Sequence, residues 1–445
     1  MEVLIENIVT YSVVILLIFL LVYFQMKKGK KQSKKVKEKI ERAKELGFHE
    51  PVSLHPVVNL DICIGSGSCV AACPEKDILG LIDGKAATIN ASRCVGHGAC
   101  FHSCPLNAIT LVIGTEKRGV DLPHVSQDFE TNVKGIYIAG ELGGMGLIKN
   151  AVIQGAQAIE NISKNLSRSK SAEYDVVIIG AGPAGISASL ACKEKNLKAI
   201  TIEQDSLGGT VYSFPRKKII MTAPMHLPLH GKVKYTEITK PELLDLWNEV
   251  LSKNNITINE NEKVLSIDKH EDHFVVQTSS RSLNTNSVLL AIGRRGSPRK
   301  LGVKGETLEK VSYRLIEPEL INNQHVLVVG GGDSAIEAAL ALMEGNNKIT
   351  LSYRGESFSR IKPKNFENIK KAESEKKVDV VFKSNVTDIT EKSVTIALEN
   401  DGVHFEKSLI NDLIFVFVGG ELPNEFLTKA GIRITKKYGE AVLKH

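Results

Sequence analysis

Six cysteines fall in two sets of three, Cys63, Cys69 and Cys73 and then Cys94, Cys100 and Cys104, and each set closes on Cys-Pro, at Pro74 and Pro105. Thiolates at this density are ligands for a soft metal centre, and iron-sulfur electron transfer is chemistry they support. Zinc is the alternative, because Cys94, His97, Cys100 and Cys104 have the ligand types of a closed structural site. One spacing used twice, each time ending in Cys-Pro, favours iron and sulfur, since a zinc module has no need of the repeat. Disulfides are disfavoured, because dense cysteines beside nucleotide-binding motifs indicate a reducing compartment. The seventh cysteine, Cys192, lies in a predicted helix of small apolar residues and reads as core.

Each copy resembles half of a bacterial two-cluster ferredoxin, whose run is C-x2-C-x2-C-x3-C-P with the last cysteine ligating the other cluster. The second cysteine of that run is Ser66 in C-I-G-S-G-S-C-V-A-A-C-P and His97 in C-V-G-H-G-A-C-F-H-S-C-P. The resemblance implies crossed ligand sets: Cys63, Cys69 and Cys104 for one cluster, Cys94, Cys100 and Cys73 for the other. Three thiolates hold a three-iron cluster, or a four-iron cluster whose last iron takes Ser66, His97 or water.

Two further motifs bind dinucleotides. Asp175-Val-Val-Ile-Ile-Gly180-Ala-Gly182-Pro183-Ala184-Gly185 is an apolar strand running into G-x-G-x-x-G and a helix of small residues. Such glycines let the backbone approach a pyrophosphate at the helix N-terminus. The next strand, Ala199 to Ile202, ends at Glu203, placed to accept hydrogen bonds from a ribose diol. A second copy, Val326-Leu-Val-Val-Gly330-Gly-Gly332-Asp333-Ser334-Ala335, leads to the strand Lys348 to Ser352 and then Tyr353-Arg354. Arg354, with Arg360, Lys362 and Lys364 nearby, suits a 2′-phosphate, so NADPH is favoured and NADH is the alternative.

Two such folds joined through Ser287-Val-Leu-Leu-Ala-Ile-Gly293 resemble the two-domain flavoprotein reductases of the thioredoxin-reductase-like branch, as do Gly208-Gly209-Thr210 and Phe415-Val-Phe-Val-Gly419. The resemblance covers about 270 residues from Tyr174 onward and implies FAD on the first motif and NAD(P)H on the second. In that branch a last piece of the FAD domain would follow the Phe415 strand: a strand ending Ala-Gly-Asp, then a helix facing the flavin. A segment of the same sense lies upstream, Gly135-Ile-Tyr-Ile-Ala139-Gly140-Glu141 followed by glycines and an apolar helix, which implies a circular permutation. Glu141 would replace the aspartate that binds the ribityl chain. A glycine-rich linker over 131–155 is the competing reading, but linkers rarely hold such a strand and helix.

At the front, Asn7 to Met26 carries no charge and Ile8 to Phe24 is almost wholly aliphatic or aromatic, enough to span a bilayer. Glu2 and Glu6 before it and lysines after it exclude the pattern of a cleaved signal peptide. Lys27 to Leu46 holds nine lysines and Arg42 against three glutamates, so this segment alone carries +7 against +6 for the whole chain. By the positive-inside rule the body faces the cytoplasm. The run lacks interleaved aromatics or a recognition module, so nucleic-acid binding is excluded and a solvated helical linker is expected.

The expected class is α/β, with two Rossmann-like dinucleotide-binding domains, a small α+β ferredoxin-like iron-sulfur domain and one N-terminal transmembrane helix. The expected order is anchor 1–26, basic juxtamembrane linker 27–52, two-cluster domain 53–117, displaced FAD-domain segment 118–165, FAD domain 174–296, NAD(P)H domain 297–410 and a return to the FAD domain over 411–445. No cysteine lies beyond Cys192, so the thioredoxin-reductase C-x-x-C pair is missing. Ala184 stands where bacillithiol-disulfide-reductase-like relatives place a cysteine. Electrons entering as hydride therefore leave singly through the clusters, to a redox protein or a quinone, and no catalytic side chain is required. A thiol or disulfide reductase and a non-turnover redox sensor are the competing functions. Three-iron clusters usually sit at higher potential, which favours flow outward from NAD(P)H. A homodimer is compatible with the family.

Overall fold

A computed structural model describes residues 2–443 except 46–48, 50, 52–53, 74, 76, 95, 97, 116–118, 144–146, 217–218, 222–223, 236, 295, 297, 359–360 and 401–402. The chain packs as two units, residues 1–119 with 438–445, and residues 120–437.

The first unit begins with α1 (Glu2–Glu45), an unbroken helix of 44 residues, roughly 66 Å at 1.5 Å per residue. Its large side chains from Tyr11 to Met26 are exposed. It is the one helix among the described residues long and apolar enough to cross a membrane. The basic half does not behave as a free, solvated linker. Ser33, Val36 and Ala43 share one face at helical spacing and are buried. Ser33 Oγ accepts a hydrogen bond from the Asp83 N–H at 2.8 Å, Lys37 pairs with Asp83 at 2.8 Å and Lys39 with Asp77 at 2.5 Å. The lysines that dominate the composition line the exposed sides, and the small residues between them make the contact.

After α1 come β1 (His55–Val58), α2 (Ser68–Ala72), the hairpin β2 (Leu79–Ile82) and β3 (Lys85–Thr88), α3 (Ala99–His102) and β4 (Ile109–Ile113). β4 pairs antiparallel with β1 and, on its other edge, with the C-terminal strand Glu440–Leu443. Expecting residues 411–445 to return as one piece to the FAD domain is therefore wrong at both ends. Leu413–Val416 lies inside the second nucleotide sheet, between His325–Val329 and Val311–Ser312, where its uninterrupted apolar run is covered on both faces. Glu440–Leu443 satisfies the free edge of β4.

In the second unit, β5 (Val120–Pro123) pairs with Ile434–Lys437. β6 (Ile136–Ile138) pairs in parallel with Ser282–Leu290, whose other edge carries β7 (Tyr174–Ile179). Beyond β7 lie β8 (Ala199–Ile202) and Ile258–Asn259, and the antiparallel strands Val264–Lys269 and Phe274–Thr278 complete a seven-stranded sheet. Ile136, Ile138, Val177, Ile179, Val288 and Leu290 bury one face. Tyr137, Val176, Ile178 and Leu289 bury the other, against α4 (Ile148–Asn165) and α5 (Pro183–Glu194). The helices meet closely: a Cβ on Gly155 would lie 2.1 Å from the Ala184 carbonyl oxygen, and Ser187 Oγ donates to the Val152 carbonyl at 2.6 Å. A five-stranded parallel sheet follows, ordered Val311–Ser312, Leu413–Val416, His325–Val329, Lys348–Ser352, Val378–Val381.

At the head of β7 the Asp175 carboxylate accepts from Arg168 Nε at 2.8 Å and from the Lys198 N–H at 3.0 Å. The hydrogen bond from Arg168 holds its pKa below the usual aspartate value. A depressed folded pKa stabilises fully above the unfolded value, about 3.9, and that contribution is lost as pH falls through the lower folded value. Asp175→Asn is expected to cost about 1 kcal/mol at neutral pH, a figure reduced for the exposed Arg168, and the difference from the parent should close below about pH 4. Urea unfolding followed by the fluorescence of Trp247, which is fully buried, measures both.

Candidate functional site

In the first unit the two cysteine loops are built alike. Gly65 and Gly67, and Gly96 and Gly98, all take φ between 72° and 75°, so the two C-x-G-x-G-x-C turns repeat the same left-handed backbone at matching positions. The following cysteines, Cys69 on α2 and Cys100 on α3, are buried. Cys69 feels the charges of Cys63 and Cys104, Cys100 those of Cys94, Cys73 and Cys69, and Cys73 that of Cys69. The six thiols thus form one connected neighbourhood, in which Cys63, Cys69 and Cys104 line a common recess.

Cys63, Cys69 and Cys104 line a small recess together with Ser66 and Ile64. Among the described residues no three His, Cys, Asp or Glu side chains gather closely enough to hold a single metal ion. The thiols that line the recess have the ligand type of an iron-sulfur cluster. Burial pushes the Cys94 thiol up to about 11 and, with the neighbouring Cys94 and Cys73, the Cys100 thiol up to about 12. Crowded sulfurs of this kind become thiolates when iron shares their charge. The Ala86 N–H reaches Cys63 Sγ at 3.4 Å and the Ala108 N–H reaches Cys104 Sγ at 3.2 Å, contacts of the type that tune cluster potential. His97 lies outside the described residues.

In the second unit, β7 delivers Gly180, Gly182, Pro183, Ala184 and Gly185 to the start of α5. A Cβ on Gly185 would sit 1.8 Å from the Gly180 carbonyl oxygen, whereas a Cβ on Gly182 would meet nothing within 4 Å. Gly185 thus permits helix and strand to touch, and Gly182 borders open space at a helix N-terminus, where a pyrophosphate fits. Glu203, buried at the end of β8, accepts from the Ala181 N–H at 2.7 Å and the Asp205 N–H at 3.0 Å. Burial raises its pKa. Each oxygen keeps a lone pair for a ribose hydroxyl. Gly208 donates to the Ala181 carbonyl at 2.9 Å, so the turn of Gly208, Gly209 and Thr210 lies against the same loop. Gly293 and Gly140 both have positive φ.

Sequence reasoning missed three groups here. Gln154 Oε1 on α4 accepts the Gly140 N–H at 2.8 Å and so sets the turn before the exposed Glu141. Asn150 Nδ2, in the first turn of α4, is buried without a partner among the described residues, as a donor awaiting a ligand would be. Arg294 faces Glu141 and Asp121, and burial lowers its pKa. Its position directly after Gly293 was the available signal.

In the second motif a Cβ on Gly332 would also meet nothing within 4 Å, and Ala335 packs where a third glycine would stand. Tyr353 lies against Gly331, and Arg354 is exposed. Asp333 accepts from the Lys362 N–H at 2.8 Å and Asn365 Nδ2 at 2.7 Å, fixing the loop after Arg354 to the helix that carries Ser334. Arg360 lies outside the described residues.

The residues present fit FAD, a nicotinamide dinucleotide and iron-sulfur clusters. Residues 177–444 match the pyridine nucleotide-disulphide oxidoreductase family, and residues 55–105 match the 4Fe-4S dicluster domain. The chain is similar to the bacilliredoxin reductase Bdr of Bacillus subtilis, 31% identical over 59% of this chain and 82% of that one. It is similar to a ferredoxin–NADP reductase of Limosilactobacillus fermentum, 30% identical over 60% and 79%. Among solved structures, the bacillithiol disulfide reductase Bdr (YpdA) of Staphylococcus aureus superposes with a TM-score of 0.52 at 28% identity, covering 60% of this chain and 85% of that one.

Proposed function

Because the chain belongs to the pyridine nucleotide-disulphide oxidoreductase family and carries a 4Fe-4S dicluster domain, we propose that it is a membrane-anchored oxidoreductase moving electrons from NADPH through FAD to two ferredoxin-type clusters. The repeated left-handed glycine turns before Cys69 and Cys100, with Cys63, Cys69 and Cys104 lining one recess, carry this reading. FAD held here would supply the chemistry that joins a two-electron hydride donor to one-electron carriers. The chain's own residues do the holding: Gly182 and α5 receive the pyrophosphate, Glu203 the ribose diol, and the turn Gly140-Glu141 with the first turn of α4 the flavin end. Arg294, half-buried beside Glu141, keeps positive charge there and favours an anionic reduced ring.

Support for a permuted FAD domain is the parallel pairing of β6 in the sheet of β7 and the close packing of α4 on α5. The thiol-reductase reading has a relative in its favour, but this chain offers no thiol beside the flavin. Cys192, the only cysteine outside the two clusters, is 1% exposed in the core, and burial raises its pKa further. Support for the anchor is the exposed apolar half of α1, and the lysines that follow favour a cytoplasmic body. Anaerobic mixing with NADPH tests the scheme: flavin bleaching followed by cluster bleaching supports it, and rapid turnover of a disulfide by cluster-free protein rejects it.

Arg354 sets nucleotide choice. Arg354→Glu is expected to lower kcat/KM for NADPH about tenfold or more, roughly 1.4 kcal/mol, and to leave NADH within about twofold. Steady-state assays with both nucleotides measure it.

A further inference from the structure

The direction in which α1 meets the first unit fixes which cluster site faces the membrane. Along α1, Lys39 pairs with Asp77, Val36 packs against Gly80, and Ser33 and Lys37 hold Asp83. Moving toward the apolar half of α1 therefore means moving along β2 toward the β2–β3 turn. That turn touches the first cysteine loop: a Cβ on Gly65 would lie 1.8 Å from the Gly84 carbonyl oxygen. Lys85 Nζ, just past the turn, donates to the Leu60 carbonyl at 2.8 Å and the Cys63 carbonyl at 2.6 Å. The loop from Leu60 to Ser66 is thus at the end of the unit nearest the apolar helix. The Cys73, Cys94 and Cys100 site lies toward the opposite end of β2, where Asn90 Nδ2 binds the Asp77 carbonyl at 2.7 Å.

The same loop is apolar where it is exposed. Leu60, Ile62 and Ile64 are 56%, 44% and 67% exposed, and Leu106 beside Cys104 is 44% exposed. Ile64 and Leu106 border the cavity of Cys63, Cys69 and Cys104. Ser33, level with the turn, is seven residues from Met26, where the uncharged run ends. That is about 10 Å of helix, comparable with a headgroup layer of about 5–7 Å. Lysines 27, 28, 30, 31, 34 and 35 form a basic collar at the same level, each attracted to anionic headgroups by about 1 kcal/mol.

We propose that Leu60, Ile62, Ile64 and Leu106 rest in the headgroup layer of the bilayer that α1 enters, and that the Cys63, Cys69 and Cys104 site delivers electrons to a lipid-soluble carrier of the quinone class. The proposal rests on α1 being an anchor. Turnover balances as NADPH and one proton reducing a quinone to a quinol. The hydride supplies both electrons, which pass singly through the clusters; its proton is released to water as the flavin is reoxidised, and the quinone oxygens take up two protons from the aqueous side, one of them net.

The test uses the full chain in vesicles of phosphatidylethanolamine and phosphatidylglycerol containing a quinone. Ile62→Trp is expected to place its indole about 5–10 Å into the interface, so that brominated lipids quench it while the buried Trp247 of the parent stays bright. Leu60→Glu with Ile62→Glu, neither lining the cavity, is expected to lower quinone reduction about tenfold or more, with unchanged cluster EPR signals and unchanged reduction of soluble ferricyanide. An introduced indole that stays unquenched, or an unchanged quinone rate in the double variant, in protein that floats with the vesicles overturns the docking and leaves the anchor standing. Protein that fails to float overturns the anchor itself, and the docking with it.

Discussion

Gly182→Val is expected to yield a folded protein that no longer retains FAD. The backbone at Gly182 has φ −76° and ψ −174°, which any residue adopts, and its Cβ would meet no protein atom within 4 Å. The space a valine side chain would fill is the space the motif leaves for a pyrophosphate. Stability of the apoprotein should change by no more than about 0.5 kcal/mol, while FAD affinity falls at least about 100-fold, roughly 2.7 kcal/mol. Gly185→Ala makes the contrast. Its Cβ would meet the Gly180 carbonyl oxygen at 1.8 Å, so strand and helix must separate and the apoprotein itself should lose stability. Calorimetric titration with FAD and urea unfolding of the two apoproteins separate a ligand-facing glycine from a packing glycine.

Cys100→Ser is expected to disconnect the flavin from its acceptor without touching the flavin. On the proposed crossed ligation, removing one thiolate leaves Cys73 and Cys94, too few to hold a cluster against solvent. Reduction of the flavin by NADPH should keep its rate within about twofold, whereas electron delivery through the clusters falls at least about 100-fold, roughly 2.7 kcal/mol in barrier. Stopped-flow absorbance resolves the two steps. A variant slow in flavin reduction would mean that Cys100 supports the nucleotide domains and not the relay.

The strands and glycine turns were legible because their causes are local. Residues 176–179 are apolar throughout because both faces are covered, and Gly135-Ile-Tyr-Ile-Ala-Gly shows the same signature on a shorter strand. Both join one sheet although 36 residues separate Ile138 from Tyr174. The basic segment misleads for a physical reason. Its lysines set the composition, while the docking face is three small residues, Ser33, Val36 and Ala43, whose role depends on Asp77, Gly80 and Asp83 more than thirty positions later. Long-range edge pairing hides the fate of the C-terminus, since nothing in Glu440–Leu443 names β4 as its partner. The sheet that Leu413–Val416 joins is equally hidden, because an apolar strand buried on both faces fits either. Arg294 escapes notice because a charge after a glycine turn usually reaches solvent, and only the fold brings Glu141 and Asp121 beside it.

The most direct test of the relay is EPR of anaerobically purified protein before and after NADPH. The account predicts signals from two clusters, distinguishable as three-iron or four-iron in type, whose redox state changes when NADPH is added and whose electron count matches the hydride consumed. NADPH that bleaches the flavin while both cluster signals stay as they were would contradict it.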